Sequence, residues 1–233
     1  MDNLFSRTEN LIGTDNLLKL KNARVAVFGI GGVGGYVVEA LVRSGVGNID
    51  LIDSDDVDIT NINRQIIATQ NTIGMSKVDA AEKRCLDINP DVKITKHKLF
   101  FDKTTADCFD FSKYDYIVDA IDTVTAKIEL ILKANSQSTP IISSMGTGNK
   151  LSPSMLEVAD IYKTSVCPLA RVMRYELKKR EVKKLKVVYS KEEPIKPQTN
   201  NRENGKQIPS SSSFVPAAAG FILASEVIKD LIK

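Results

Sequence analysis

The chain has 233 residues, of which 42% are hydrophobic and 26% are charged, and its net charge is +3. This length and composition favour one large or two small globular domains with ample apolar material for a core. The longest apolar stretch, residues 214–228, is interrupted by Pro216, Gly220 and Glu226 and falls short of the roughly 20 apolar residues of a spanning helix, so we predict no membrane span.

Short apolar runs alternate with helix-patterned segments through the first 145 residues. Five strands are predicted here, at residues 24–30, 48–53, 92–99, 116–119 and 140–144. Three helices are predicted, at residues 33–43, 77–88 and 124–134, where apolar side chains recur at helical spacing. Such alternation is typical of a parallel sheet covered on both faces, so we predict an α/β fold with a Rossmann-like, doubly wound, mainly parallel sheet.

After residue 146 the pattern is less regular. It predicts strands at 155–162 and 186–189, and a basic helix at 168–180 with Pro168 in its first turn. Residues 191–213 are rich in Pro, Asn, Ser, Lys and Glu and are predicted to form a mobile loop. An amphipathic helix at 217–231 is expected to return to the sheet as a C-terminal extension.

Positive charge is concentrated in the second half of the chain. Residues 171–206 contain twelve Lys or Arg against five Glu, a net charge of +7, so the remainder of the chain carries −4. An acidic body with a basic segment favours a polyanionic partner, nucleic acid first. On charge alone, a solvated helix and loop without such a partner remains an equal alternative.

A glycine-rich segment connects the first predicted strand to the first predicted helix. Gly29, Gly31 and Gly34 match the pattern G-x-G-x-x-G, and Asp53 ends the next strand. Glycines let the backbone approach a phosphate, and an aspartate in that position accepts hydrogen bonds from ribose hydroxyls. By itself the motif is compatible with NAD, FAD or ATP, or with a turn required only for packing.

Further charged side chains are predicted at the same edge of the sheet. Arg64 and Lys77 follow the second strand, and Asp122 follows another strand. Because ligands of open α/β sheets bind at the carboxyl ends of the strands, these groups should lie near the glycine loop. The two cations suit a triphosphate whose pyrophosphate departs, and a carboxylate there can hold the Mg²⁺ that bridges phosphates.

Together these motifs resemble the ThiF-type adenylating core of the ubiquitin-activating superfamily. The matching stretches are GIGGVG, LIDSDDVDITNINRQ, GMSK and VDAIDT, within about residues 7–146. The resemblance implies ATP and Mg²⁺, a ribose contact from Asp53, a metal-linked Asp122, and a homodimer in which Arg7 reaches the partner's site. The implied catalytic residues are Arg7, Arg64, Lys77 and Asp122, and the implied nucleotide-binding residues are Gly29, Gly31, Gly32, Gly34, Asp53, Asp55, Asn61, Arg64, Lys77 and Asp122.

The second half resembles one branch of this superfamily, the tRNA threonylcarbamoyladenosine dehydratases. The matching stretches are SSMGTGNKLSP, ADIYKT, PLARVMRYELKKR, KVVYSKEEP and PSSSSFVPAAAGFILASEVI. The resemblance implies that ATP adenylates the threonyl carboxylate of a modified adenosine beside the anticodon. The tethered carbamoyl oxygen then closes a five-membered ring with net loss of water.

This resemblance also implies an organisation and a partner. Residues 1–233 form one adenylating domain, with an ATP-binding core at 7–146, a basic crossover segment at 147–213 and a returning helix at 214–231. The basic segment is then expected to bind tRNA phosphates, which position the substrate without specifying its sequence. The expected contacts are Arg171, Arg174, Lys178, Lys179 and Arg180.

The three cysteines, Cys85, Cys108 and Cys167, are far apart and form no C-x-x-C pair. We therefore expect free thiols in a reducing cytoplasm, which the lack of a signal-peptide pattern at residues 1–4 also favours, and no structural zinc site. An alternative function is a carrier-protein adenylyltransferase with Cys167 as acceptor and a sulfur-transfer protein as a further partner. A small packing residue is the other interpretation of Cys167, at a position where the dehydratases generally have Asp.

Two further expectations concern the nucleotide and the lone histidine. An NAD-dependent oxidoreductase is a third functional alternative, and it predicts tighter binding of NAD than of ATP. The lone histidine, His97, lies between Lys96 and Lys98 in a predicted strand. It is expected to be exposed and to play no catalytic role.

Overall fold

A seven-stranded sheet lies at the centre of the computed structural model, which describes residues 4–198, 202–203, 206–207 and 209–233. Its strands are β1 (Arg24–Phe28), β2 (Asn48–Ile52), β3 (Lys93–His97), β4 (Tyr116–Asp119), β5 (Ile141–Ser144), β6 (Leu156–Asp160) and β7 (Lys186–Ser190). Their order is β3-β2-β1-β4-β5-β7-β6, and neighbours are parallel except for the antiparallel pair of β6 and β7. The strand order reverses between β1 and β4, which leaves a crevice at their carboxyl ends.

Helices cover both faces of this sheet. They are α1 (Ser6–Ile12), α2 (Thr14–Asn22), α3 (Gly34–Arg43), α4 (Lys77–Ile88), α5 (Val124–Ser136), α6 (Pro168–Lys179) and α7 (Phe214–Leu231). Helices α3, α4 and α7 share one hydrophobic core cluster, and α5 packs against α6 on the opposite face. The predicted Rossmann-like α/β fold is confirmed.

Strand β1 shows how a short apolar run serves two cores. Val25 and Val27 belong to the cluster of α3 and α7, whereas Ala26 and Phe28 belong to the cluster of α5. All four side chains are completely buried. Successive side chains of a strand point to opposite faces, so a strand covered on both sides must be apolar throughout.

An aromatic segment covers the sheet between β3 and β4, where the chain forms only two 3₁₀ turns, Ala106–Cys108 and Phe111–Lys113. The rings of Phe101, Phe109 and Phe111 lie 5.0, 5.4 and 5.7 Å from the ring of Phe28, measured between centroids. Offset and edge-on packing of this kind is favourable for aromatic rings. Phenylalanines therefore replace a crossover helix at this place.

Helices α1 and α2 precede the sheet and were not predicted. Helix α1 has seven residues and buries none of its side chains, so it carries no apolar stripe that a sequence pattern could reveal. Helix α2 buries only Leu17 and Leu20.

The other elements agree with their predicted bounds to within three residues at either end. The segment 191–213, predicted as a mobile loop, contains a short antiparallel ladder of β8 (Arg202–Glu203) and β9 (Lys206–Gln207). The rest of that prediction falls partly on residues 199–201, 204–205 and 208, which lie outside the described residues. In the described part of the chain, no helix has the length and apolar character needed to cross a membrane.

Two glycines allow close backbone contacts in the loop that follows β1. Gly29 has φ of +89°, and a Cβ atom there would lie 2.7 Å from the Ala120 carbonyl oxygen. A Cβ atom on Gly34 would lie 1.7 Å from the carbonyl oxygen of Gly29. Gly29 therefore lets the loop after β1 contact the loop after β4, and Gly34 lets the start of α3 lie against Gly29.

A charge cluster around Asp230 holds the C-terminal helix on the sheet. The carboxylate of Asp230 accepts hydrogen bonds from Tyr116 on β4 at 2.8 Å, from Lys186 on β7 at 2.5 Å, and from Lys233 at 2.6 Å. Burial by itself would raise the pKa of Asp230, but these donors outweigh it and hold the pKa at about 2. The cluster therefore ties α7 to two strands.

Gly34→Ala is expected to destabilise the protein by about 2–3 kcal/mol, because the added methyl group forces the loop after β1 to move. Gly31→Ala is the matched control, since its methyl group would lie 3.8 Å from its nearest neighbour, the Gln65 amide nitrogen. Thermal unfolding of both variants is the measurement. Equal losses of Tm would show that the contact between Gly29 and Gly34 carries no special constraint.

Asp230→Asn is expected to lower the free energy of unfolding at neutral pH by about 2 kcal/mol. A carboxyl group whose pKa falls from 3.8 to about 2 on folding stabilises the protein above about pH 4 and loses this effect as the pH falls toward 2. Urea unfolding at neutral pH and at about pH 3 should therefore show a smaller acid-induced loss for the variant than for the wild type. Asp87→Asn, an exposed change on α4, is the control and should have an effect within about 0.5 kcal/mol.

Candidate active site

A cavity of about 740 Å³ opens at the carboxyl ends of the parallel strands. Its walls come from the segments that follow β1, β2, β4 and β5, within residues 29–33, 53–55, 120–122 and 144–148. The predicted residues that line it are Gly29, Gly31, Gly32, Asp53, Asp55, Asn61, Arg64, Lys77 and Asp122. Gly34 lies behind the lining, against Gly29.

The glycine loop forms an open floor for this cavity. A Cβ atom at Gly31 would have no neighbour closer than 3.8 Å, and one at Gly32 would first meet Arg64 and Pro216 at 3.4 Å. Helix α3 begins directly after this loop. The amide groups and dipole at the start of a helix favour a bound anion, so the floor suits a phosphate.

Lys77 lies between two carboxylates that follow β2. Its ammonium group is 2.6 Å from Asp55 Oδ2 and 3.8 Å from Asp53 Oδ1. Asp53 also accepts hydrogen bonds from the amides of Ile30 at 2.6 Å and Asp55 at 2.9 Å. The Lys77 side chain is 8% exposed, whereas that of Asp55 is 62% exposed, so this pair joins a buried cation to a carboxylate that can reach water.

The two carboxylates respond differently to this environment. Burial raises the pKa of Asp53, and its contacts with Lys77 and two backbone amides only partly offset that effect. At Asp55, burial is outweighed by the combined effect of the hydrogen bond from Lys77, the charge of Lys77 and the hydrogen bond from Ser54, so the pKa is lowered. Asp55 is therefore the principal counterion of Lys77, and Asp53 is the carboxylate that the backbone holds in place.

A 3₁₀ turn at Ile59–Asn61 presents Arg64 to the cavity. Asp58 caps this turn, and Asn61 Oδ1 accepts a hydrogen bond from the Asp58 amide at 3.1 Å. The Arg64 guanidinium donates to the Thr60 carbonyl and to Asn63 Oδ1, both at 2.9 Å. The amide oxygen of Asn61 thus maintains the turn, and Arg64 is oriented by the same segment.

Asp122 lies exposed on the loop after β4, and a fully buried ion pair underlies that loop. Lys127 on α5 donates to Asp119 Oδ1 at 3.0 Å and to the Ile121 carbonyl at 2.9 Å. Ser143 donates to the other Asp119 oxygen at 2.5 Å. Because breaking a buried pair costs several kcal/mol, this network fixes the backbone that carries Asp122.

The carboxylate of Asp122 fits a Mg²⁺ ion that is bound mainly through phosphates. The described residues contain no group of three or more His, Cys, Asp or Glu side chains that could hold a metal ion. Mg²⁺ in nucleotide sites is commonly held by one or two carboxylates together with substrate phosphates. A single exposed carboxylate at the edge of the cavity is compatible with that arrangement.

Lys127, beneath the loop that carries Asp122, and Gln65, in the cavity wall, are polar residues that were not singled out from the sequence. Gln65 lines the cavity at 6% exposure, and its Oε1 atom is buried without a hydrogen-bond partner among the described residues. Lys127 lies between Ala126 and Ile128 in a predicted helix, and a lysine among apolar residues is the sequence signal that could have indicated its burial. No local pattern identified Asp119 as the partner of Lys127.

The structure favours the packing interpretation of Cys167 and corrects the expectation for His97. Cys167 is 1% exposed and belongs to the core cluster around α6, so its thiol is not accessible as an acceptor. His97 is only partly exposed and lies 3.0 Å from the carboxylate of Asp50, against the ring of Phe109. The alternation of the last β3 residues directs His97 toward this buried acid.

Helix α6 presents only part of the predicted basic surface to solvent. Arg171, Lys178 and Lys179 are exposed. Arg174 is partly buried and donates to the Thr164 carbonyl at 3.0 Å, and Arg180 pairs with Glu176 at 2.6 Å. Arg174 therefore joins α6 to the preceding turn, and its contact with tRNA, like those of the other four residues, stays a prediction.

Arg7 lies on α1 and is exposed. It is not among the described residues that line the cavity of its own chain. A contribution to catalysis would therefore have to come from a second copy of the chain.

Comparison with known proteins identifies the family of the chain. The ThiF family matches residues 5–233. The chain is 44% identical over 240 residues to the tRNA threonylcarbamoyladenosine dehydratase of Bacillus subtilis, covering 98% of this chain and 94% of that protein. It is 34% identical to the tRNA threonylcarbamoyladenosine dehydratase of Escherichia coli, covering 98% and 93% of the two chains.

Solved structures agree with the sequence relatives. The fold is similar to the crystal structure of the E. coli tRNA N6-threonylcarbamoyladenosine dehydratase in complex with AMP, with a TM-score of 0.90 and 33% identity over 98% of this chain and 93% of that one. The complex of that enzyme with ATP gives a TM-score of 0.89 at 32% identity, with the same coverage. The chain therefore belongs to the ThiF family, within the group of the tRNA threonylcarbamoyladenosine dehydratases.

Proposed function

We propose that this protein is an ATP-dependent enzyme that cyclises threonylcarbamoyladenosine in tRNA, next to the anticodon. The observation that carries the proposal is the convergence of Arg64, Lys77 and Asp122 on one cavity whose floor is the glycine loop. Dehydratases in the same family that span almost the whole chain support the choice of substrate. The alternative that uses Cys167 as an acceptor is disfavoured by the burial of its thiol.

The reaction proceeds in two substitutions. A carboxylate oxygen of the threonyl group attacks the α-phosphorus of ATP, and pyrophosphate leaves. The carbamoyl oxygen of the same substrate then attacks the acyl carbon, AMP leaves with the transferred oxygen, and the carbamoyl nitrogen loses its proton. Because the nucleophile is tethered, its effective molarity is high, on the order of 10⁵ M in favourable cases, so the second step requires no enzyme nucleophile.

The pairing of Lys77 with an exposed carboxylate suits a role in the first substitution, in which pyrophosphate leaves. Lys77 is paired with Asp55, whose side chain is mostly exposed. Triphosphate oxygens can take the place of Asp55 as counterion, which leaves the buried ammonium group facing the departing pyrophosphate. Arg64 provides a second cation over the glycine floor, and Asp53 provides the acceptor for ribose hydroxyls.

Mg²⁺ would be held by Asp122 together with phosphate oxygens and would neutralise the charge of the leaving pyrophosphate. The Lys127–Asp119 pair acts on this step only indirectly, by fixing the loop that carries Asp122.

Helix α6 offers a path from the cavity to the tRNA. Leu169, in its first turn, lines the cavity, and the exposed Arg171, Lys178 and Lys179 follow along the same helix. From Leu169 to Lys179 the helix rises by about 15 Å. This distance suits contacts with several phosphates of an RNA loop whose modified nucleotide occupies the cavity.

The position of Arg7 bears on the assembly of the protein. We propose a cytoplasmic homodimer in which Arg7 of one copy approaches the nucleotide of the other, since Arg7 is exposed and absent from its own cavity. Residues 1–233 act as one adenylating unit, because α7 returns to the sheet and Pro216 in its first turn lines the cavity. A sulfur-transfer protein is retained as a further candidate partner.

Lys77→Met and Asp122→Asn are each expected to lower turnover of modified tRNA by about a hundredfold or more, because each removes a charge that stabilises the departing pyrophosphate. Turnover is measured with ATP, Mg²⁺ and threonylcarbamoyl-modified tRNA, as loss of one water from the modified nucleoside in mass spectrometry. Lys83→Met, an exposed change on α4, is the matched control for charge. Near-normal turnover in either site variant would overturn its assignment, and tighter binding of NAD than of Mg-ATP by the wild type would overturn the proposed function.

Replacing both Arg171 and Lys178 with Ala is expected to weaken tRNA binding. The slope of the logarithm of the binding constant against the logarithm of the salt concentration should fall by about two, the contribution of two phosphate contacts. ATP binding should stay unchanged, since neither residue lines the cavity. Binding is measured at several salt concentrations, and Lys83→Ala with Lys103→Ala is the control that removes two exposed charges elsewhere. An unchanged salt dependence would show that α6 does not contact the RNA.

A further inference from the structure

A second cavity of about 180 Å³ lies beside the first, behind the segment that contains Ser210 and Ser211. Those two residues line both cavities, so the cavities are separated by a single layer of chain. The described lining of the second cavity includes Lys150 and Lys196 and contains no Asp or Glu. It is therefore a positively charged recess next to the nucleotide site.

Lys150 is the unusual group in this recess. The residue is only 3% exposed, and within the described part of the chain its ammonium group makes no salt bridge and no hydrogen bond. Glu192, in a neighbouring segment, accepts hydrogen bonds from the amides of Leu151 and Ser152 at 2.9 Å and forms no ion pair with Lys150. The ammonium nitrogen is not among the fully buried side-chain atoms that lack a partner, so it is in contact with the solvent of the recess, and an anion that enters would meet a cation that no carboxylate of the described lining neutralises.

Hydrogen bonds from both sides hold the walls of the recess in place. The Asn149 amide donates to the Ser210 carbonyl at 2.7 Å, and the Ser210 amide donates to Asn149 Oδ1 at 2.7 Å. On the other side, the Ile195 amide donates to the Asn149 carbonyl at 2.8 Å. Ser212 Oγ lies 3.3 Å from the Lys150 carbonyl. The segment that carries Lys150 is therefore hydrogen-bonded to the chain on both sides of it, at Ser210 and at Ile195, and the recess is preformed.

We propose that the recess around Lys150 is an oxyanion subsite for the tRNA substrate. This inference rests on the proposed function and extends it to a residue that the nucleotide chemistry does not use. Two anions of the substrate could reach a recess one chain layer away from the nucleotide cavity. One is the backbone phosphate beside the modified nucleotide, and the other is the carboxylate of its threonylcarbamoyl group. Both have the oxyanion chemistry that a buried ammonium group binds.

Lys150→Met tests the subsite, because it keeps the length of the side chain and removes its charge. It is expected to raise KM for modified tRNA about tenfold and to weaken tRNA binding to a similar degree, the loss typical of a charged hydrogen bond. ATP affinity and Tm should stay unchanged, since Lys150 does not line the nucleotide cavity and forms no ion pair in the described part of the chain. Lys150→Arg, which keeps the charge, should restore most of the tRNA affinity.

The same experiment separates failure of the subsite from failure of the proposed function. Wild-type turnover of modified tRNA tests the function by itself, and Lys83→Met controls for the loss of one charge. With an active wild type, unchanged KM and unchanged tRNA affinity in Lys150→Met would overturn the subsite. Binding of tRNA without the threonylcarbamoyl group distinguishes the sources: weakening for both RNAs identifies the phosphate, and weakening for the modified RNA alone identifies the carboxylate. A loss of ATP affinity equal to the loss of tRNA affinity would also contradict the proposal.

Discussion

The close approach of two backbone loops at the carboxyl ends of β1 and β4 is the constraint on which the site depends. Gly29 and Gly34 leave no room for a side chain between these loops, so the glycine floor lies directly beside the segment that carries Asp122. The reversal of strand order at the same place opens the crevice above them. The amides of the glycine loop and the candidate metal ligand are thereby brought to one cavity without long loops.

Three buried lysines illustrate how the degree of charge compensation determines what a cation can do. Lys127 is paired with Asp119 in a fully buried bridge, so its charge is permanently neutralised and it fixes a loop. Lys77 is paired with Asp55, which is mostly exposed and can give way to phosphate. Lys150 has no counterion in the described part of the chain, and its ammonium group is in contact with the solvent of the second cavity, so it can take an anionic ligand. Burial is similar in all three, and the partner makes the difference.

Most of the fold was predictable because the parallel strands are buried on both faces. Segments such as β1 and β4 are then continuous apolar runs, and the helices between them carry one apolar stripe. Helix α1 could not be predicted, since it buries no side chain. The aromatic cover over Phe28 was also unpredictable, because it depends on rings that meet across the sheet from a segment without regular periodicity.

The sequence by itself placed nine predicted residues at the main cavity, because they follow strands at recognisable spacing and strand ends converge on one edge of a parallel sheet. Only the tertiary structure decided which charges are available. Arg174, which has the spacing of a phosphate contact, is held by Thr164, and Lys127 and Lys150 lie buried although the sequence places them among ordinary polar positions. The physical reason is that a side chain's counterion comes from residues distant in the chain, and spacing along the chain carries no information about them.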